Sequence, residues 1–151
     1  MPESFDRDVL VLVHDVARQI RVQADRRARA HGTTRAQWIV LARLDRQPGL
    51  SQNELAAIAE VEPITIARLV DRLERRGLVE RRPDPNDRRI WRLHLTPAAA
   101  PLVDEIHDYR AELNRLITRG LKRETVDTIV DGLLRMKANL SAANATAEQV
   151  S

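Results

Sequence analysis

Arg68, Arg72 and Arg75 recur at intervals of four and three residues, and Arg88 and Arg89 stand side by side thirteen residues further on. At helical spacing the first three fall on one face. Each guanidinium there offers a fork of N–H donors that fits a phosphate, or the O6 and N7 acceptors of a guanine. Thr65 precedes Arg68 on the same face and brings a hydroxyl suited to phosphate and a methyl suited to thymine. From Glu62 to Thr96 nine arginines stand against six acids, an excess of +3 that equals the formal net charge of the whole chain. The remainder is therefore balanced, and the positive excess is confined to one stretch, as expected of a surface that meets phosphates. A solvated helix laced with ion pairs would carry a similar run of charge. What favours the phosphate reading is the set of elements that must carry these residues.

Pro63 suits the first position of a helix and Gly77 supplies its stop, which predicts a helix over residues 62–76. Ile66, Leu69, Val70 and Leu73 form its inner stripe; Pro63, Ile64, Thr65, Arg68, Arg72 and Arg75 are left outside. Two short runs follow, 78–82 and 90–95, and in the second Trp91, Leu93 and Leu95 alternate with Arg92 and His94. They read as a two-stranded ribbon whose connection, Pro83 to Arg89, is too long for a tight turn and projects as an arginine-tipped loop. Upstream, Ser51-Gln52-Asn53-Glu54 is a capping box that opens a short helix with Leu55, Ala56 and Ile58 inward. Its first N–H groups, around Ser51 and Gln52, can take a phosphate, or the cap simply satisfies the helix. Only Ala59-Glu60-Val61 separates this helix from Pro63, so the pair forms a helix-turn-helix, and the ribbon completes a winged helix.

The flanks are helical. A long first helix is predicted over 5–30 with Val9, Leu12, Val13, Val16 and Ile20 on one stripe. Thr34 and Gln37 form a second capping box, and Trp38, Leu41 and Leu44 face inward behind it. After the ribbon, Thr96 caps and Pro97 begins a helix with Leu102, Ile106, Tyr109, Leu113, Leu116 and Ile117 on one side; Gly120 breaks it. A last helix carries Val126, Ile129, Val130, Leu133, Leu134 and Leu140, and the polar tail 141–151 is expected to fray. The fold class is mainly α with a small β-ribbon: one domain over 1–151, its winged helix-turn-helix at 34–96. A winged helix can close on its own core, which leaves the apolar stripes of 5–30 and 97–140 in need of a partner. A twofold homodimer built from these helices is the economical answer.

Other chemistries are poorly provided for. There is no glycine-rich phosphate loop, no His-x-x-x-His pair and no cluster of carboxylates, so an enzyme is not expected. With no cysteine and four histidines far apart in sequence, neither a metal nor another cofactor is expected. MPESFDRD lacks the basic-then-apolar order of a secretory signal, and the longest apolar run is Val9 to Val13, which predicts a cytoplasmic protein without a membrane partner. His14 lies beside the first helix's apolar stripe and is simplest as a solvated side chain; Trp38 is simplest as a core anchor.

The order of elements resembles the MarR family of bacterial transcription regulators over nearly the whole chain. The wing carries the most specific match: Asp87-Arg88-Arg89 followed by Leu95-Thr96 is similar to the family's Asp-x-Arg and Leu-Thr spacing. Residues 68–79, RLVDRLERRGLV, are similarly typical. The resemblance implies a homodimeric double-stranded DNA-binding regulator, expected to be a repressor, on a pseudo-palindromic operator. It implies that Asp87 braces the wing by pairing with a nearby arginine and that Arg89 enters the minor groove, a role Arg88 can share or exchange. The helix at 62–76 would lie in the major groove. It further implies release by a small aromatic or drug-like effector in a cleft lined from the first, second and fifth helices, where His14, Trp38 and His107 or Arg110 come into contention. Without cysteine, the chain is not of the thiol-sensing branch. The rival reading is a winged-helix protein-interaction module without specific DNA binding.

Overall fold

The computed structural model describes residues 5–59 and 61–148. A 3-10 turn at Phe5–Arg7 leads into α1 (Val9–Ala30), followed by α2 (Arg35–Arg46), α3 (Gln52–Ala59) and α4 (Pro63–Arg75). Strands β1 (Val79–Pro83) and β2 (Trp91–Leu95) come next, then a 3-10 turn at Pro97–Ala99, α5 (Ala100–Ile117) and α6 (Arg123–Glu148). The chain is mainly α with one antiparallel ribbon, a winged helix-turn-helix with added helices. It divides into two compact units, residues 1–111 and 112–151. No helix among the described residues is long and apolar enough to cross a membrane.

The core of the first unit is aliphatic, as the scarcity of aromatics requires. Val40, Leu41 and Leu44 of α2, Leu55 of α3, Ile66, Val70 and Leu73 of α4, and Val79 and Leu93 of the ribbon are all buried. Each such side chain contributes roughly 1.5–3 kcal/mol by leaving water, so this cluster fixes how α4 and the ribbon sit against α2 and α3. Trp38 extends the core toward α1: its indole N–H donates to the Thr33 hydroxyl, which in turn donates to the Ala28 carbonyl. The ribbon pairs Val79 with Leu95 at one end and Pro83 with Trp91 at the other. In the second unit, by contrast, α6 buries none of its described residues.

Several boundaries differ from the sequence expectations for identifiable reasons. The first helix starts at Val9 because the Asp8 carboxylate caps it, accepting from the Val11 N–H at 3.1 Å. The helix expected at 62–76 runs from Pro63 to Arg75, and the strands begin one residue later than expected, at 79–83 and 91–95. Thr96 does not cap with its side chain; its hydroxyl donates to the Gly77 carbonyl, and Pro97–Ala99 form a 3-10 turn before α5 begins at Ala100. Ile58, expected inside, is 37% exposed, and Trp91, at the start of the second strand, is 49% exposed. The tail does not fray where expected: α6 continues through 141–148. Alanine, the best helix former, holds four of those eight positions. Glu60 and residues 149–151 lie outside the described residues.

Candidate nucleic-acid interface

α4 presents the expected two faces. Ile66, Val70 and Leu73 are buried, while Pro63, Ile64, Thr65, Arg68, Arg72 and Arg75 are exposed. The helix starts without a side-chain cap at Glu62, and the carbonyl of that residue takes the Thr65 N–H at 2.9 Å. Among the described residues, Arg68, Arg72, Arg75 and Arg88 have no carboxylate partner, so their guanidinium groups are available to an outside anion.

The arginines of the ribbon are used differently. Arg81 reaches Asp71 at 2.6 Å and Glu74 at 3.0 Å, both on α4, and also donates to the Gln52 side-chain carbonyl on α3. Arg92 meets Asp84 at 2.8 Å and Glu54 at 3.0 Å. Arg82 pairs with Glu80. These contacts tie the wing to both helices of the helix-turn-helix. Asp84 shapes the loop itself: its carboxylate accepts the N–H groups of Asn86 (2.7 Å) and Asp87 (2.9 Å) as well as the Arg92 guanidinium. That guanidinium, then the two N–H groups, hold the Asp84 carboxyl below its ordinary value.

Asp87 pairs with the next arginine but one. It accepts the Arg89 backbone N–H at 3.0 Å and that residue's guanidinium at 3.1 Å through each oxygen, which lowers the Asp87 carboxyl as well. The Arg89 side chain is nevertheless 89% exposed. Its aim is set by Asp87 while its outer face stays open to a ligand. Arg88 is exposed beside it without such a brace.

At the start of α3 both halves of the capping box form: the Ser51 hydroxyl accepts the Glu54 N–H, and the Glu54 carboxylate accepts the Ser51 N–H at 2.8 Å. The Ser51 N–H, followed by the Arg92 guanidinium, lowers the Glu54 carboxyl. Gln52 is held by Arg81, and with Ser51, Asn53, Arg89, Ile90 and Trp91 it lines a cleft of about 180 Å³. Asp84, Arg81, Arg92 and Glu54 are thus the residues that position the surface, and sequence reasoning named none of them as site residues. Glu54 was legible only as a cap. Asp84 carried a local signal, since Asp-Pro-Asn-Asp favours a side chain that bonds the backbone two residues on.

The four effector candidates differ in their surroundings. Trp38 is buried, between His31 at 5.9 Å and Tyr109 at 5.7 Å between ring centres. His107 bonds Asp45 at 2.9 Å. His14 and Arg110 are exposed, with no partner among the described residues. Trp38 instead belongs to a cluster in which Arg27 and His31 both meet Glu105, at 2.7 and 3.0 Å, and Arg27 stands over the Tyr109 ring. The Tyr109 hydroxyl is buried without a hydrogen-bond partner, and burial pushes its pKa up.

The sequence model of the MarR family matches residues 31–90, from the end of α1 through the wing loop. The crystal structure of the transcriptional regulator SlyA is similar over 89% of this chain and 94% of its own, with a TM-score of 0.79 and 27% identity. A crystal structure of MarR covers 96% of this chain and 99% of its own, with a TM-score of 0.80 and 27% identity. The chain is thus similar to MarR-family regulators in sequence over residues 31–90 and in fold over most of its length. S. aureus MepR, crystallised as a DNA complex, shares the fold at a TM-score of 0.78 and 24% identity, over 91% of this chain and 99% of its own. The matched stretch includes Arg68, Arg72 and Arg75 of α4 and both loop arginines.

Proposed function

We propose that this chain is a cytoplasmic homodimer that binds a pseudo-palindromic operator in double-stranded DNA and acts as a transcriptional repressor. The observation that carries the reading is the set of unpaired guanidinium groups, Arg68, Arg72 and Arg75 on one exposed face of α4 and Arg88 on the wing loop. α4 enters the major groove, where Thr65 and Arg68 meet base edges and Arg72 and Arg75 hold the backbone. Arg89, aimed by Asp87, enters the flanking minor groove, where it reads groove width more than base identity. Ser51 and Gln52 sit against phosphate at the start of α3. The DNA-bound MepR structure lends this arrangement support by fold.

Dimerisation rests on apolar side chains that one copy leaves in water: Val9, Leu12, Val13 and Val16 on α1, and Ile129, Val130, Leu133 and Leu134 on α6. On each helix taken by itself, a row of exposed apolar side chains of this kind marks an interaction site. A twofold pair would present two reading heads about one helical turn apart, roughly 10 bp centre to centre. Release by a small aromatic effector belongs to the proposal as a family expectation. The region around Trp38 is the part of the candidate set best placed to take part, because it alone is packed among other rings.

Selection of bound sequences from random duplex DNA, with light scattering on the free protein, tests the reading. A palindromic consensus and a dimer mass are the expected results. A stable native monomer, or recovery of no preferred duplex sequence, would replace it with a winged helix used for protein contact.

A further inference from the structure

Trp91 opens β2, pairs with Pro83 across the ribbon, and leaves half of its indole in water. It lines the 180 Å³ cleft together with the first turn of α3. Among the residues lining that cleft, Arg89 alone carries charge. The nearest acid of α3 is withdrawn from it: Glu54 is engaged by the Ser51 N–H and by Arg92. Arg81 occupies the side-chain carbonyl of Gln52 twice, which leaves the amide nitrogen as the group of Gln52 still able to donate. Asn53 is exposed beside it. An apolar plate flanked by two amides and a guanidinium, with no free carboxylate on the lining, matches one chemical unit of a nucleic-acid strand. The plate fits the apolar face of a deoxyribose, and the two amides fit the phosphate next to it, on the side where Arg89 leaves toward the groove.

We propose that Trp91 is a DNA-contact residue whose indole packs on a deoxyribose of duplex DNA while Gln52 and Asn53 hold the adjoining phosphate. This rests on the duplex-binding reading above and adds to it a contact that is apolar and indifferent to sequence. Sugar and phosphate contacts fix register without reading bases, so Trp91 sets how the wing seats on the duplex and not which sequence is chosen.

The same protein supplies an optical test, because it has two tryptophans and the other, Trp38, is 5% exposed and bonded to Thr33. Trp38→Phe leaves Trp91 as the only indole. On titration with a dye-labelled duplex, its emission should change with the same midpoint as the anisotropy of the dye. Should Trp38→Phe fail to fold, the difference between wild type and Trp91→Phe reports the same signal. Trp91→Ala should weaken binding roughly tenfold on every duplex sequence, with Trp91→Phe recovering most of that affinity, a size typical of an aromatic contact to nucleic acid. The slope of log affinity against log salt should not change, because every cation that meets a phosphate is still in place. Anisotropy that reports binding while Trp91 emission stays constant would overturn the proposal, as would a weakening confined to one base-pair variant. Absence of any anisotropy change would instead remove the duplex-binding reading and this contact with it.

Discussion

α4 and the wing are both rich in arginine, but they employ it in opposite ways. On α4 the guanidiniums of Arg68, Arg72 and Arg75 point to solvent with no acid beside them. On the ribbon, Arg81 and Arg92 each hold two carboxylates, and Arg89 is gripped by Asp87. Counting arginines in this stretch therefore overstates the charge offered to a ligand and misses what half of them do. The wing commits positive charge to its own posture so that a few exposed groups are held in place; α4, rigid already through its buried stripe, can leave its arginines free. Removing an α4 arginine should take away a contact, whereas removing a wing arginine should take away an arrangement.

The largest effect should come from Arg68→Ala. If the side chain is bidentate to a guanine, affinity falls by about 1–3 kcal/mol and preference relaxes at one position per half-site. Binding measured on a panel of single-base operator variants checks this. A decrease of equal size on every variant would place Arg68 on the backbone and blur the line drawn between the inner and outer turns of α4.

Arg92→Ala comes next and tests the other half of the contrast. It strips the cation from Asp84 and Glu54 together, so the loop should open and Arg89 should lose its aim. Operators with A/T or G/C flanks would then be bound alike, and hydrogen exchange in residues 84–90 should speed up. Arg89→Ala should erase the same flank preference while leaving loop exchange slow. If Arg92→Ala keeps full flank discrimination, the ion pairs linking the wing to α3 are incidental to recognition.

Much of this was legible in the sequence where the governing contact is local. The two capping boxes, Thr34 with Gln37 and Ser51 with Glu54, span three residues and form as expected. α4 was legible because its inner and outer faces differ in every turn. The wing network was not: Arg92 meets Glu54 across 38 positions and the Gly49 carbonyl across 43, and no periodicity encodes such pairs. Ile58 was misplaced because α3 has only eight residues, too few for a stripe to be well defined. Trp91 obeys the ribbon's alternation with Leu93, but it lies at the end of the ribbon paired with Pro83, where it is only half covered. For the effector cleft, resemblance indicated a region and could not select residues; the neighbours of Trp38 turn out to be His31 and Tyr109.

A smaller effect is expected for Arg75→Ala. As a backbone-holding group it should, when removed, weaken all sequences alike and lower the magnitude of the salt slope by about 0.9 for each phosphate left without its cation. Isotherms at several salt concentrations, on operator and on unrelated duplex, measure both quantities. A slope equal to wild type would mean that Arg75 stays in solvent in the complex, and that free arginine on α4 extends beyond the binding face.

The smallest effect is the response of the wing to pH. Glu54, Asp84 and Asp87 are all held below their ordinary values, by the Ser51 N–H, the Arg92 guanidinium and the Arg89 guanidinium respectively. A carboxyl whose folded pKa is depressed adds stability that is fully present above its unfolded value, about 4, and is lost as pH falls through the folded value. The wing should therefore be indifferent to pH across the neutral range and should loosen only below the ordinary carboxylate range. Trp91 lies on β2 one residue before Arg92, which makes its emission a local reporter of that loosening. Far-UV circular dichroism reports the helices over the same titration. Asp84→Asn removes the central carboxylate, so in that variant the acid transition of Trp91 should shrink while the neutral-pH signal already resembles the loosened form. A wild-type Trp91 transition near neutral pH would mean that a group other than these carboxylates governs the wing, and the contrast with α4 would need a different physical basis.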